Sequence, residues 1–459
     1  MAVSKDRIGF DISAESRFNV PMPRDDEPFR IALIGDFAAG PSRLPLESRR
    51  PISVDPDNFE QVLSRLDVHI ESPAGPIRIA MLDDFHPDSL YEKLPLFREC
   101  RELQRRLANP STFAEAAREM LGEAVAPAPA RCAISGNLLD DILGDAGATP
   151  KPGRTRDELQ NFIRAAAQSS LVPGQDPRAP ELIRQVDEAA ANKMRIILHD
   201  PAFKAAECAW RTVFQLLGRL DIGTQLKLYL VDVSKEEIRA NPERLRRMLI
   251  DESGPWAVLA CNFQLGAGDW ALMRQLGSIA RDANAPCIAE ADSSVIGDSD
   301  PRSDWNLFRR APEARWLGLA VPRLLLRAPY GAESAPCERF NFEEFRGKPD
   351  LRSMLYANPA PFCAMLLGQA FEASGWDLRP GEVRDIDKLP VFVYEDDETG
   401  DTMSAPGAEI VLAENTAEAL VSAGIMPLVF VRGTDTVRVV RFQSVADPPS
   451  PLAGRWSAR

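Results

Sequence analysis

The feature that most constrains this chain is the run from Trp316 to Leu326, an apolar segment interrupted by a single charge, Arg323. Arginines bracket it, and Ala328-Pro329-Tyr330-Gly331 closes it with turn-forming residues. A segment this apolar predicts a buried element, hence packing and not chemistry. Arg323 and Arg327 stand four apart, which places them on one side of a helix or at the flanks of a turn. Glu343 and Glu344, in Phe340-Asn341-Phe342-Glu343-Glu344, are the candidate partners, and the residues alone leave both geometries and both pairings open.

The rest of the chain alternates strand and helix patterns. Phe29 to Phe37 reads as a buried strand broken by Gly35. Asp57 is placed to cap a helix carrying Phe59, Val62, Leu63 and Leu66 on one face. Pro76 to Leu82 alternates as a strand does. Asp88 precedes an amphipathic segment with Leu90, Leu94, Phe97 and Leu103, in which Pro95 marks a possible true start. Further on, Asp200-Pro201 opens a helix whose Phe203, Trp210, Val213, Phe214 and Leu217 share a face, and Ser234 is placed to cap another after a strand over 226–230. Strands are expected at 256–263, 389–394, 426–431 and 437–442, and helices at 362–373 and 416–423. Ile31 to Phe37 and Ala257 to Phe263 echo each other weakly, which falls short of a repeat.

At 459 residues the chain exceeds one typical core. The expected organisation is an extended N-terminal arm at 1–27, an α/β domain at 28–123, a linker rich in Ala, Pro and Gly at 124–154, a second α/β domain at 155–447 and a Pro-rich tail at 448–459. Within the arm, Arg17, Phe18, Asn19 and Val20 alternate like one strand that seeks a partner. Within the linker, Leu138, Leu139, Ile142 and Leu143 form a short amphipathic island. These eight residues are the candidate partner-binding positions.

A net charge of −14 disfavours broad contact with nucleic acid or anionic membrane. No apolar segment approaches the roughly 20 residues that span a bilayer. The N-terminus lacks an export signal, so a cytoplasmic location is expected. The seven cysteines are scattered and never form C-x-x-C, and they read as small apolar residues in a reducing compartment. His69, His86 and His199 belong to no metal-spacing motif, and His86, between Phe85 and Pro87, reads as a turn or capping residue. No cofactor, metal site or catalytic constellation is expected. The one enzyme-like feature is Gly266-Ala267-Gly268-Asp269-Trp270-Ala271, after a strand and before a helix, with Glu290 or Asp292 about 20 residues on. It supports the alternative of a nucleotide-binding α/β enzyme, although Trp270 is bulky where a phosphate must approach.

Motifs in order carry a resemblance. F-R-I-A-L-I-G-D-F, R-R-P-I-S-V-D-P-D-N-F and D-D-F-H-P-D-S-L resemble the small subunit of the type VI secretion contractile sheath (TssB/VipA-like). H-D-P-A-F-K-A-A-E-C-A-W-R, L-K-L-Y-L-V-D-V-S-K-E-E-I, R-W-L-G-L-x-x-P-R-x-L-x-R-x-P-Y-G with F-N-F-E-E, and G-I-M-P-L resemble the large subunit (TssC/VipB-like). The resemblance implies a fusion of the two, with sheath-type α/β domains in which mixed sheets are flanked by helices. It also implies a structural, non-enzymatic role in an oligomeric assembly, with sheath subunits or other secretion components as partners. In that family a Leu-Leu-Asp helix is recognised by an AAA+ disassembly ATPase; the island at Leu138 to Leu143 is similar, and its internal position leaves access open. The large-subunit pattern stops early, so a specialised or capping subunit is expected, and a degenerate fusion without assembly is the further alternative.

Overall fold

The computed structural model describes residues 23–24, 26–40, 44–121, 176–295, 303–346, 349–395 and 399–458. Arg17 to Val20, and Leu138, Leu139, Ile142 and Leu143, lie outside the described residues.

The first block opens with β1 (Phe29–Gly35) and β2 (Ile52–Val54). Helix α1 (Phe59–Leu66) buries Phe59, Val62 and Leu63. Its N-cap is Asn58 and not the expected Asp57, because the Asp55 carboxylate already gathers the Asp57 and Asn58 N–H groups at 3.0 and 2.9 Å into the entering turn. Strands β3 (Val68–Ser72) and β4 (Gly75–Ile79) form a separate antiparallel hairpin. The amphipathic segment after it is two helices, α2 (Pro87–Lys93) and α3 (Arg98–Ala108). Pro95 separates them, since its ring and missing N–H cannot continue α2. Helix α4 (Phe113–Leu121) ends the described part of this block.

In the second block α5 (Ala179–Leu198) precedes α6 (Pro201–Leu217), which Asp200 caps by accepting from the N–H groups of Ala202 and Phe203. Phe203, Trp210, Val213 and Leu217 are buried as expected, whereas Phe214 is 52% exposed, its ring resting 5.8 Å from Phe59 at the margin of the stripe. Strand β5 (Leu226–Asp232) leads into α7 (Lys235–Ala240), where Ser234 and Glu237 close a reciprocal capping box. Helix α8 (Pro242–Ile250), β6 (Val258–Leu265), α9 (Trp270–Ala283), β7 (Cys287–Ala291) and α10 (Asp304–Arg309) follow. The apolar run resolves into β8 (Leu317–Val321) and the short β9 (Leu324–Leu325), which pairs with β10 (Tyr356–Ala357). Helix α11 (Pro359–Ser374), β11 (Asp385–Ile386) and the hairpin of β12 (Phe392–Glu395) with β13 (Thr402–Ala405) come next. Helix α12 (Glu414–Ser422) stops at Gly424, whose φ of 79° disfavours a side chain and where a Cβ would meet the Val445 backbone at 3.1 Å. Strands β14 (Ile425–Phe430) and β15 (Val437–Val439) pair antiparallel.

One nine-stranded sheet, ordered β11-β15-β14-β8-β7-β6-β1-β5-β2, organises the molecule. Its interior from β5 to β14 is parallel, and its outer pairs are antiparallel. The two blocks meet in the sheet itself. β1, from the first block, lies between β5 and β6 of the second, registered from Phe29 opposite Leu226 to Gly35 opposite Asp232 and from Ile31 opposite Val258 to Ile34 opposite Cys261. The two stretches that echo each other in sequence are therefore neighbouring strands. β1 sends Phe29, Ile31 and Leu33 into a core with α6 and α11, and Ala32 and Ile34 into the opposite core with α8 and α9. Burial on both faces explains why the strand reads as a continuous apolar run.

Candidate functional site

Two buried arginine centres hold the parts of this sheet in place. The first answers the question that Arg323 and Arg327 pose in the sequence. Neither lies on a helix. Arg323 follows β8 and forms a two-pronged bond to Glu409, with Nε to Oε2 at 2.8 Å. Arg327 turns inward, donating to Glu344 at 2.7 Å and to Glu207 on α6 at 2.8 Å. Glu343 is not its partner; that carboxylate accepts the Ala332 N–H at 3.0 Å. Glu344 also accepts the Tyr330 N–H at 2.9 Å, so the turn and the F-N-F-E-E segment close on one carboxylate. The Arg327 guanidinium stacks 4.1 Å from the Tyr330 ring, and Arg211 bonds both Glu207 and the Tyr330 hydroxyl. Burial alone would raise the Glu344 carboxyl, but Arg327, His199 and the Tyr330 N–H outweigh it and hold it at about 2. Burial pushes the Tyr330 hydroxyl up to about 12.

Sequence reasoning missed Glu207. Its signal was a lone acidic residue four after Phe203 and three before Trp210, on an otherwise apolar helix face, where a charge is retained only when paired.

The second centre is Arg49 of the first block. Its Nη1 donates to the Asp232 carbonyl at 2.9 Å, and Nη1 and Nη2 grip the Glu237 carboxylate at 2.9 and 2.8 Å. The Asp232 side chain accepts the N–H groups of Phe37 and Ala38 at 2.9 and 3.1 Å. Arg244 of α8 returns the grip, donating to the carbonyls of Leu46, Glu47 and Arg49. The R-R-P motif of the first block thus docks on the capping box and α8 of the second. Trp210 adds a bond from Nε1 to the Phe37 carbonyl at 3.0 Å, and Tyr91 stacks on Phe340 with ring centroids 4.5 Å apart.

The glycine loop after β6 is committed to its own fold. The Gly266 N–H donates to Asp269 at 2.7 Å and the Ala267 N–H to the Ser294 hydroxyl at 3.0 Å, so two donors that a phosphate would need are in use. The Asp269 carboxylate is held by Lys235 and Arg239. Glu290 faces away from this loop, accepting from Gln264 at 2.9 Å and standing 3.9 Å from Arg323. Burial pushes its carboxyl up to about 7, the attraction of Arg323 being too weak to offset it. Among the described residues, one cluster has donor atoms close enough for a metal ion: His86, Asp88 and Cys337.

Open strand edges complete the surface. Among the described residues, β2 pairs only with β5, and the β12–β13 hairpin stands apart from the main sheet with Val391, Val393 and Met403 about half exposed.

Comparison with known proteins places these features. The family model described as EvpB/VC_A0108, tail sheath N-terminal domain (VipB), matches residues 180–446. The model described as type VI secretion system, VipA, VC_A0107 or Hcp2 matches residues 22–137. The type VI secretion system sheath protein TssC1 of Pseudomonas aeruginosa is 26% identical over 343 residues, covering 65% of this chain and 69% of that protein.

Proposed function

Because this chain belongs to the VipB tail-sheath family and carries a VipA-type block ahead of the VipB domain, we propose that it works as a structural sheath subunit that unites small- and large-subunit-like blocks in one polypeptide, in a specialised or capping position of the assembly. The observation that carries this reading is the position of β1. A strand from the small-subunit-like block fills the gap between two strands of the large-subunit-like block, and Arg49 of the same block bonds Asp232 and Glu237 beside it. The chemistry required of such a subunit is association. Its partners are other sheath subunits or secretion components, met through open strand edges such as β2 and the β12–β13 hairpin. The arm at Arg17 to Val20 is a further partner-binding segment. The island at Leu138 to Leu143 is the segment offered to an AAA+ disassembly ATPase. The protein acts in the cytoplasm without turning over a substrate; no helix among the described residues is long and apolar enough to cross a membrane.

Electron microscopy of the purified protein, alone and mixed with standard sheath subunits, tests the proposal. Ordered rings or tubes in either sample are expected. Monodisperse particles in both, with no co-purification of any secretion component, would overturn it. The enzyme alternative draws no support from the glycine loop, whose two bonded donors and buried carboxylate oppose a phosphate.

A further inference from the structure

We propose that His86, Asp88 and Cys337 form a zinc site that staples the first block to the second. One donor atom from each residue lies within 4.8 Å of the other two. Imidazole nitrogen, carboxylate oxygen and thiolate sulfur form the mixed donor set that suits Zn²⁺, and three protein ligands leave a fourth position for water. Tetrahedral coordination needs these atoms about 3.3–3.6 Å apart. The cluster therefore has to draw in by roughly 1 Å, within reach of a loop side chain such as Cys337.

The surroundings hold two of the ligands ready. Asp88 is fixed by the chain it would be stapled to: its carboxylate accepts the N–H groups of Glu338 and Arg339 at 2.9 and 3.1 Å, one on each oxygen, and each oxygen keeps a further lone pair for a cation. His86 is held by its ring, edge-on to Tyr330 with centroids 5.0 Å apart, and its Nδ1 stands 3.6 Å from Asp88 Oδ2. That Nδ1 now accepts the Asp88 N–H at 3.2 Å, a long bond that a metal on the same lone pair would replace. The neutral imidazole is the ligating form. The nearby Arg211 and Arg327 guanidiniums are engaged by Glu207 and Glu344, so their charge is largely answered. The Cys337 thiol must release its proton to solvent on binding and ligate as the thiolate. This requirement favours a thiophilic ion over Mg²⁺ or Ca²⁺.

The test titrates the chelator-stripped full-length protein with Zn²⁺ by calorimetry, and with Co²⁺ as a spectroscopic probe. One equivalent of Zn²⁺ is expected to bind and raise the melting temperature, with a cobalt–thiolate charge-transfer band in the Co²⁺ form. Two conservative variants report on the site: Cys337→Ser keeps the side-chain volume, and His86→Asn keeps an oxygen to cap α2. Each should weaken Zn²⁺ binding at least tenfold and remove the metal-dependent melting shift, and Cys337→Ser should abolish the charge-transfer band. Melting without metal checks that both variants fold. Absence of one-equivalent binding, or unchanged Zn²⁺ affinity in either folded variant, would overturn the proposal. The readout is independent of sheath assembly, so it stands or falls apart from the proposed function.

Discussion

Arg327 and Arg49 are both nearly sealed from solvent, with side chains 11% and 8% exposed, and both face two acidic residues, yet they hold different things together. The polar groups around Arg327, namely Glu207, Glu344, Tyr330 and Arg211, all come from the second block. Arg49 reaches from the first block to Asp232 and Glu237 of the second. The difference teaches how a fusion of two sheath-type blocks is stabilised. One centre closes a block on itself and fixes the signature turn, and the other fixes the seam along which β1 is seated.

The largest effect should come from Arg327→Met. It takes the guanidinium from Glu344 and leaves Glu207 with Arg211 alone, and both carboxylates are almost fully buried. A loss of about 3–5 kcal/mol is expected in urea denaturation. A loss below about 1 kcal/mol would break the distinction between the two centres.

Arg49→Ala should cost less, about 2–3 kcal/mol, because Glu237 is 29% exposed and can be hydrated. Its specific signature is at the seam: amide exchange in β1 and β5 should accelerate before that of the signature turn. Uniform acceleration across both centres would merge them into one cooperative unit.

Glu290 sharpens the comparison by showing a buried carboxylate whose arginine is taken elsewhere. Arg323 is committed to Glu409, and the Glu290 carboxyl sits at about 7 against an ordinary 4.5. A raised carboxyl binds its proton more tightly when folded. Its contribution is therefore complete below about pH 4.5 and is lost as pH rises through 7. Glu290→Gln, which keeps an acceptor for Gln264, should match the parent in acid and exceed it by up to about 3 kcal/mol at about pH 9. Chemical denaturation at the two pH values checks this; a destabilised variant at alkaline pH would contradict it.

The smallest effect is expected from Trp210→Phe. It keeps most of the aromatic packing against Phe37 and Phe59 but removes the bond to the Phe37 carbonyl, for a cost of about 1–2 kcal/mol by denaturant midpoint.

Local physics made much of this legible in the sequence. The Asp200-Pro201 helix start, the Ser234 cap and the buried run at β1 are each set by neighbours within a few residues. Pairing between distant residues was not legible. That β1 lies between β5 and β6 left only a faint trace, the likeness of Ile31–Phe37 to Ala257–Phe263. Arg327 was flagged, but its choice of Glu344 over Glu343 depends on which carboxylate the turn at Tyr330 points inward. Phe214 satisfied the helical stripe and still lies at the surface, because the core covers a narrower arc of α6 than the stripe. His86, Asp88 and Cys337 match no spacing motif, since the third residue arrives from the other block.

The central claim, that the two blocks form one folding unit through β1, is tested most directly by cutting the chain. The gene is divided between Pro150 and Lys151, the halves are expressed together and apart, and unfolding is followed by circular dichroism. The account predicts a one-to-one complex that melts cooperatively, and a second half that aggregates alone because β5 and β6 lose the strand between them. A second half that folds alone and melts as the intact protein does would contradict it.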